Sequence, residues 1–325
     1  MSPAAEEKAT GLPLLQRQDL GLDEAELERL EQERLAFEGK PDPTDPDDVD
    51  SYASNDEWAF QKADQLLSTL KQREGVDRRT EGEVFDRPTL MVLHKMLSQG
   101  TLASLDFPIS TGKEANVFRG TTPMGGHVAV KIYRVNTATF KHVLQYIEGD
   151  ERFAGAGRDK RRLVAAWAQK EFRNLSRLYE AGVSVPEPIR VLGNVLVTEY
   201  IGLPEGPWPQ LKDLGRLDRE QAQEFYDSLT ADLERTVHDA GLVHADLSEY
   251  NILVQDSDDP DAARARIIDV GQAVLRSHPM SEEFLERDIR NLTRYFTRQR
   301  LRVTEHDLAT RLRPRDDGAA KEEEE

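Results

Sequence analysis

Asp246, Asn251 and Asp269 are oxygen-bearing side chains in an order that chemistry on phosphate can use. The first two lie in the run His244-Ala245-Asp246-Leu247-Ser248-Glu249-Tyr250-Asn251, and Asp269 follows Asn251 by 18 residues inside Ile267-Ile268-Asp269-Val270-Gly271. This arrangement fits Mg2+-dependent phosphoryl transfer from ATP. One carboxylate, Asp246, orients or deprotonates the acceptor oxygen. The amide oxygen of Asn251 and the carboxylate of Asp269 hold magnesium on the phosphates. A single Asp in a loop more often caps a turn. Three groups in one order, bounded by apolar runs that end as strands, are harder to explain that way.

A nucleotide also needs a cradle and a charge for its phosphates. Ser110-Thr111-Gly112-Lys113-Glu114 lies between two apolar strand segments, where a turn can cover phosphate. It is not a Walker A loop, which would need Gly at 107 and Ser or Thr at 114, where the chain has Phe107 and Glu114. Nor is it a triple-glycine loop, since only Gly112 precedes Gly120. Taken alone it reads as a polar hairpin turn. In an ATP site, the backbone amides of 111–113 would face phosphate oxygens, with Lys113 adding charge.

Lys131 interrupts the apolar strand Val128-Ala129-Val130-Lys131-Ile132. An edge-strand lysine that discourages aggregation is the plain reading. The functional one is a lysine that grips the α- and β-phosphates and is held by a helix carboxylate. The next helix, 163–179, names that partner. At about 100° per residue, Val164, Ala168, Leu175 and Leu178 form one stripe with Glu171 in its middle, while Gln169 and Lys170 fall well away. A carboxylate in a buried stripe is costly unless paired, so a Lys131–Glu171 pair is expected. Glu199-Tyr200-Ile201-Gly202 follows an apolar strand, where backbone groups of Glu199 and Ile201 could meet an adenine edge as an interlobe hinge.

The elements that must position these groups are legible in outline. A helix is expected at 88–98, strands at 109–119 and 127–133 about a turn at 121–126, a polar glycine-bearing loop at 134–162, and the helix 163–179. A strand at 195–199, a Gly/Pro connector at 202–209 and a helix at 218–240 follow. Then come the motif loop, short strands at 252–254 and 267–269, and a helix at 281–298. Strands, one long helix, then mostly helices predict an α+β, two-lobed, protein-kinase-like fold with ATP in the cleft. The expected divisions are an acidic extension at 1–80, an N-lobe at 81–201, a C-lobe at 202–305 and an acidic tail at 306–325. The extension carries two solvated helices, 20–37 and 56–71, separated by Pro41, Pro43 and Pro46.

Composition excludes several function classes. The 325 residues contain no cysteine, which removes disulfides, thiolate zinc sites and cysteine nucleophiles. No apolar run approaches a membrane span and no signal segment opens the chain, so a soluble cytoplasmic protein is expected. The net charge is −18, and only 12 of the 43 basic residues are lysine. Such a surface fits adaptation to high salt. Acidic tails are the simpler cause, and the first 80 residues do carry 20 acidic against 10 basic side chains. Global acidity argues against DNA or indiscriminate nucleic-acid binding. Two basic clusters remain: Arg158, Lys160, Arg161 and Arg162, and the arginines 287, 290, 294 and 298. The second lies opposite the apolar stripe Leu285, Ile289, Leu292 and Phe296. Each is a solvated face or an RNA- or ribosome-facing surface.

In combination, STGKEANVF, VAVKIYR, AWAQKEFRNL, HADLSEYNILV and IIDVGQAV resemble the RIO family of atypical serine/threonine kinases, closely its type-1 subgroup, in an archaeal-like form. The resemblance spans about residues 88–301. It implies a RIO fold with ATP and Mg2+ as cofactors, Asp246 as proton acceptor, and Asn251 and Asp269 as metal ligands. It further implies that Lys131 binds ATP, that Glu199 and Ile201 form the hinge, and that Asp269 can accept phosphate. The partner it implies is the precursor of the small ribosomal subunit, with ATP hydrolysis timing release.

Only 56 residues follow Asp269 and none form an Ala-Pro-Glu motif. The C-lobe is therefore read as truncated, without activation segment or peptide-binding subdomain, and an ATPase switch with inefficient protein phosphorylation is expected. Two departures stand out. Residues 134–162 hold Thr137 and Thr139 but no serine, where subgroup members autophosphorylate, and Thr198 occupies the place expected for Met. The competing readings are a small-molecule phosphotransferase of the aminoglycoside-kinase type, which needs additional helices after the metal Asp, and an assembly factor that binds ATP without turnover.

Overall fold

The computed structural model describes residues 85–135, 160–255 and 265–313. The acidic extension with its two expected helices, Arg158, Thr137 and Thr139, and the terminal acidic run lie outside these residues.

Helix α1 (Arg87–Ser98) starts on Asp86, whose carboxylate accepts from Thr89 N at 3.0 Å, with Pro88 in the first turn. It packs Leu93 and Met96 against a five-stranded antiparallel sheet of order β1-β2-β3-β5-β4. The strands are β1 (Ser104–Thr111), β2 (Ala115–Thr121), β3 (His127–Tyr133), β4 (Pro188–Leu192) and β5 (Val195–Glu199). Between β3 and β4 runs helix α2 (Lys160–Glu180). The sheet core includes the fully buried Phe118, Val130 and Ile132. Burying one such side chain contributes about 1.5–3 kcal/mol.

The single strand expected over 109–119 is two strands that turn at 112–114. Pro108 obscured the first of them. It is tolerated because β1 is an edge strand and the ladder breaks register on either side of Pro108. The opposite edge strand, β4, carries no apolar alternation in the sequence, because Pro188 opens it and Ile189 is exposed.

Past β5 the connector forms a small hairpin of β6 (Gly202–Leu203) and β7 (Gly206–Pro207). The C-lobe then opens with helix α3 (Arg219–Glu234), started by a reciprocal cap between Asp218 and Gln221. The helix expected to run to 240 passes into a π-turn, Arg235–Asp239. Strand β8 (Leu242–Val243) leads into the motif loop, and β9 (Ile252–Val254) pairs with β10 (Ala265–Ile267). Strand β11 (Val274–Leu275) returns to β8. Helices α4 (Ser281–Arg298) and α5 (Glu305–Leu312) complete the lobe. Helix α5 crosses the boundary placed at 305, because Leu308 and Leu312 are buried in the C-lobe core. Only residues 270–280 separate Asp269 from α4, too few for an activation segment. No helix among the described residues is long and apolar enough to cross a membrane.

Candidate active site

Lys131 lies on the third strand of the sheet, opposite Val117 on β2 and Leu196 on β5. The helical phase that puts Glu171 in the buried stripe of α2 carries it to this lysine. Lys131 Nζ donates to Glu171 Oε2 at 2.8 Å and Oε1 at 2.9 Å, and to Asp269 Oδ1 at 2.8 Å. Tyr133 OH donates to Glu171 Oε2 as well. Burial acts against the lysine's charge, but the Asp269 and Glu171 carboxylates outweigh it and raise its pKa. The same ammonium holds the Asp269 carboxyl below its ordinary range. The two carboxylates differ in access: the Glu171 side chain is 5% exposed and that of Asp269 53%. One braces the lysine, while the other is open to solvent. Gly271 permits this closeness, since a Cβ there would stand 2.9 Å from Glu171 Oε2.

The loop bearing Asp269 is clamped to α2. Lys170 Nζ, with no solvent exposure, donates to the carbonyls of Gly271 (2.7 Å) and Ala273 (2.6 Å). Asn174 Nδ2 donates to the carbonyls of Val270 (3.1 Å) and Ala273 (2.8 Å). Helical periodicity set Lys170 apart from the buried stripe. It is buried nonetheless, because the Asp269 loop covers a second face of α2. Asp269 itself has φ +60° and Ala245 φ +66°, left-handed conformations that non-glycine residues keep only under surrounding constraint.

The motif loop is held from α4. Asp288, fully buried, accepts from Ala245 N and Leu247 N, both at 2.8 Å. Asn291 Nδ2 donates to Leu247 O at 3.1 Å, and Arg287 donates to Ala245 O. Arg287 therefore does not belong to the solvated arginine face on which its helical phase placed it, whereas Arg290, Arg294 and Arg298 are exposed. In the other basic cluster, Arg161 pairs with Asp86 at 2.5 Å and ties α2 to the start of α1. Asp288 gave no sequence signal beyond an acidic residue inside an apolar stripe.

Asn251 Nδ2 donates to Asp246 O at 2.9 Å and to Asp246 Oδ2 at 3.3 Å, which turns its amide oxygen away from Asp246. Ile268 N donates to Asn251 O at 2.9 Å, linking the loop to the approach of Asp269. Burial, together with the charge of Asp269, raises the pKa of Asp246. This moves it toward the range of a working base. Among the described residues no three His, Cys, Asp or Glu side chains are grouped to hold a metal. Two protein oxygens, from Asn251 and Asp269, suit Mg2+, which keeps most of its shell for water and phosphate.

At the turn, Ser110, Thr111, Gly112 and Lys113 are exposed. The Gly112 N–H donates to Ala115 O at 2.9 Å, closing the turn itself, so it does not face a phosphate as expected. The Glu114 carbonyl accepts from Arg134 N at 2.9 Å, and its carboxylate would repel phosphate. At the hinge, Glu199 N donates to Glu187 O (2.8 Å) and Ile201 O accepts from Trp208 N (3.1 Å). The groups suited to a purine edge are the Glu199 carbonyl and the Ile201 N–H. Thr198 is partly buried beside them.

Burial pushes the His244 pKa down from 6.5 to about 4, so the folded protein holds this ring neutral. A folded-state pKa below the unfolded one contributes stability that is present above pH 6.5 and lost as pH falls toward 4. Burial pushes Asp288 the other way, from 3.8 to about 7, so its contribution is present below 3.8 and lost as pH rises through about 7. His244→Asn removes only the first effect. As pH falls from 7 to 4.5, the urea midpoint of this variant should therefore rise relative to that of the parent. Equal slopes would refute the assignment of the acid limb to His244.

A lysine and helix carboxylate on one lobe, facing an Asp–Asn–Asp array on the other across a strand-borne hinge, define the protein-kinase class of ATP phosphotransferases. Within that class the chain belongs to the RIO family of atypical kinases: the RIO domain matches residues 116–309. The RIO-type serine/threonine-protein kinase Rio1 of Haloferax volcanii is 44% identical over 221 residues, covering 68% of this chain and 73% of that protein. Human serine/threonine-protein kinase RIO1 is 39% identical over 233 residues, 71% of this chain but 40% of the human protein. The chain thus spans most of the Haloferax relative and less than half of the human one. A solved Rio2 kinase–ADP/Mg2+–phosphoaspartate complex from Chaetomium thermophilum shares the fold, with TM-score 0.53 and 19% identity over 85% of this chain and 90% of that one.

Proposed function

We propose that this chain is a Mg2+-dependent, ATP-hydrolysing RIO kinase that acts in the cytoplasm on maturation of the small ribosomal subunit. The observation that carries the chemical half is the convergence of the Glu171 and Asp269 carboxylates on the Lys131 ammonium, with Asp246 and Asn251 joined to each other by a hydrogen bond. ATP enters with its adenine against Glu199 and Ile201 and its phosphates under 110–114. Lys131 exchanges its bond to Asp269 for phosphate oxygens while Glu171 keeps it in place. Asn251 and Asp269 would hold magnesium, which would supply neutralisation of the phosphate charge. Asp246 accepts the proton of an attacking water or hydroxyl as the new P–O bond forms, and the bond to the ADP oxygen breaks.

Asp269 is also the candidate phosphate carrier. Its carboxylate oxygen attacks the γ-phosphorus, ADP leaves, and water later cleaves the acyl phosphate to regenerate Asp269. Its open carboxylate in the cleft supports this reading, as does the phosphoaspartate in the Chaetomium Rio2 complex. The short link between Asp269 and α4 leaves no platform for a peptide substrate, which favours hydrolysis over protein phosphorylation.

The biological half rests on family membership and on the exposed Arg290, Arg294 and Arg298, which suit a polyanionic surface. Co-sedimentation with small-subunit precursors, with and without ATP and across a salt series, tests it when paired with ADP production in a single turnover. Binding that weakens with salt and is released by turnover is expected. ADP production without particle binding at any salt would leave the chemistry standing and remove the ribosomal role.

A further inference from the structure

The hinge hairpin β6–β7 is fastened to the N-lobe sheet by a side chain remote from the phosphates. Arg119 Nη1, on β2, donates to the carbonyl of Pro204 at the hairpin tip, at 2.5 Å. Arg119 is itself immobilised. Its Nε donates to Asp106 Oδ2 at 3.0 Å, and its guanidinium lies 4.5 Å from the centroid of the Phe107 ring. Asp106 is 3% exposed and also accepts from the hydroxyls of Ser104 (2.7 Å) and Thr121 (2.9 Å). A carboxylate this buried is costly without such donors. Here it orients one guanidinium fork so that a second N–H projects toward the connector.

The strand register places Arg119 on the nucleotide side of the sheet. Val117 is opposite Lys131 and Arg119 opposite Ala129, so all four residues share one face. Lys131 marks the phosphate end of that face and Arg119 the hinge end. The hairpin Arg119 holds is continuous with the hinge. Trp208 N donates to Ile201 O (3.1 Å), Tyr200 OH donates to Leu203 O (3.3 Å), and a Cβ on Gly202 would meet Gly206 O at 2.6 Å. With so little slack in the hairpin, where its tip is held decides where the Ile201 N–H points.

We propose that Arg119 is a positioning residue for base recognition, a latch from β2 to the hinge hairpin that sets the Glu199–Ile201 main chain at the spacing that reads adenine. The proposal rests on the ATP reading of the same cleft. Arg119→Met and Arg119→Lys test it in the full chain. Lysine keeps a positive charge opposite Asp106 but lacks the second N–H that reaches Pro204. Both variants are expected to raise KM and Kd for ATP about tenfold, the size of one charge-assisted hydrogen bond, with kcat within about twofold of the parent. Their preference for ATP over GTP should also narrow, because the purine edge is read by the displaced main chain.

Arg119→Lys with parental ATP affinity and ATP/GTP preference would overturn the latch. So would a fall in kcat without a change in KM. Should Arg119→Met not fold, Arg119→Lys still decides. If the parent bound neither nucleotide, the ATP reading itself would fail, an outcome distinct from failure of the latch alone.

Discussion

Asp269→Asn is expected to lower ADP formation at saturating Mg-ATP by about two to four orders of magnitude while leaving the protein folded. Folding should survive because Asn tolerates the left-handed backbone that Asp269 adopts at φ +60°. Lys131 would also keep both bonds to Glu171. The loss is chemical: an amide is a poorer metal ligand than a carboxylate, and its oxygen cannot form a stable acyl phosphate. Asp246→Asn is expected to give a loss of the same order for a different reason, since the base is gone while the phosphate-accepting group stays. The two are separated by trapping protein-bound phosphate from γ-labelled ATP. Alkali-labile label should remain in the Asp246 variant and be absent from the Asp269 variant. ADP formation within tenfold of the parent in either variant would sink the assignment of that residue.

The second large effect is on stability. Lys170→Met removes an ammonium that has no solvent exposure and leaves the Gly271 carbonyl without this donor, while Asn174 still serves Ala273. Removing one partner from a buried charged contact costs about 3–5 kcal/mol, less where the remaining partner is neutral, as these carbonyls are. A loss of about 2–3 kcal/mol is therefore expected, or a melting point lower by several degrees, at roughly 2–4 °C per kcal/mol for a domain of this size. The folded fraction should also turn over ATP more slowly, because Asp269 keeps its strained backbone only while its loop is clamped to α2. A melting point within a degree of the parent would show that the clamp carries little energy. Asn174→Leu, which removes the neighbouring donor, should lower the melting point by a smaller amount.

The candidate site was readable in the sequence where it depends on residue type and local period. Asp246, Asn251 and Asp269 are found by order and spacing because a kinase-type array needs those oxygens on short loops at strand ends. Glu171 is found by helical phase, because a carboxylate inside a buried stripe implies a cation opposite it. Lys131 stands out as the one charge in an apolar strand. Periodicity fails where a surface is buried by something not adjacent in sequence. Lys170 looks solvated on the helix wheel, and only the packing of the Asp269 loop against α2 makes it interior. Arg287 sits with the exposed arginines by phase, yet contacts the Ala245 carbonyl because the motif loop lies across the start of α4. The edge strands are not legible in the sequence because proline and exposed residues erase alternation there.

The sequence by itself therefore determined the kinase class, the two-lobed order of elements and the candidate groups for work on phosphate. All of these follow from local spacing and from the cost of burying charge. Only the tertiary structure decided how those groups are held. One ammonium is shared by a buried and an open carboxylate. A lysine–asparagine clamp sits behind Asp269, Asp288 lies under the motif loop, and Arg119 reaches the hinge hairpin. Each of these contacts joins residues from separate elements, and the free energy that makes them specific, satisfaction of backbone groups removed from water, exists only once the elements have packed.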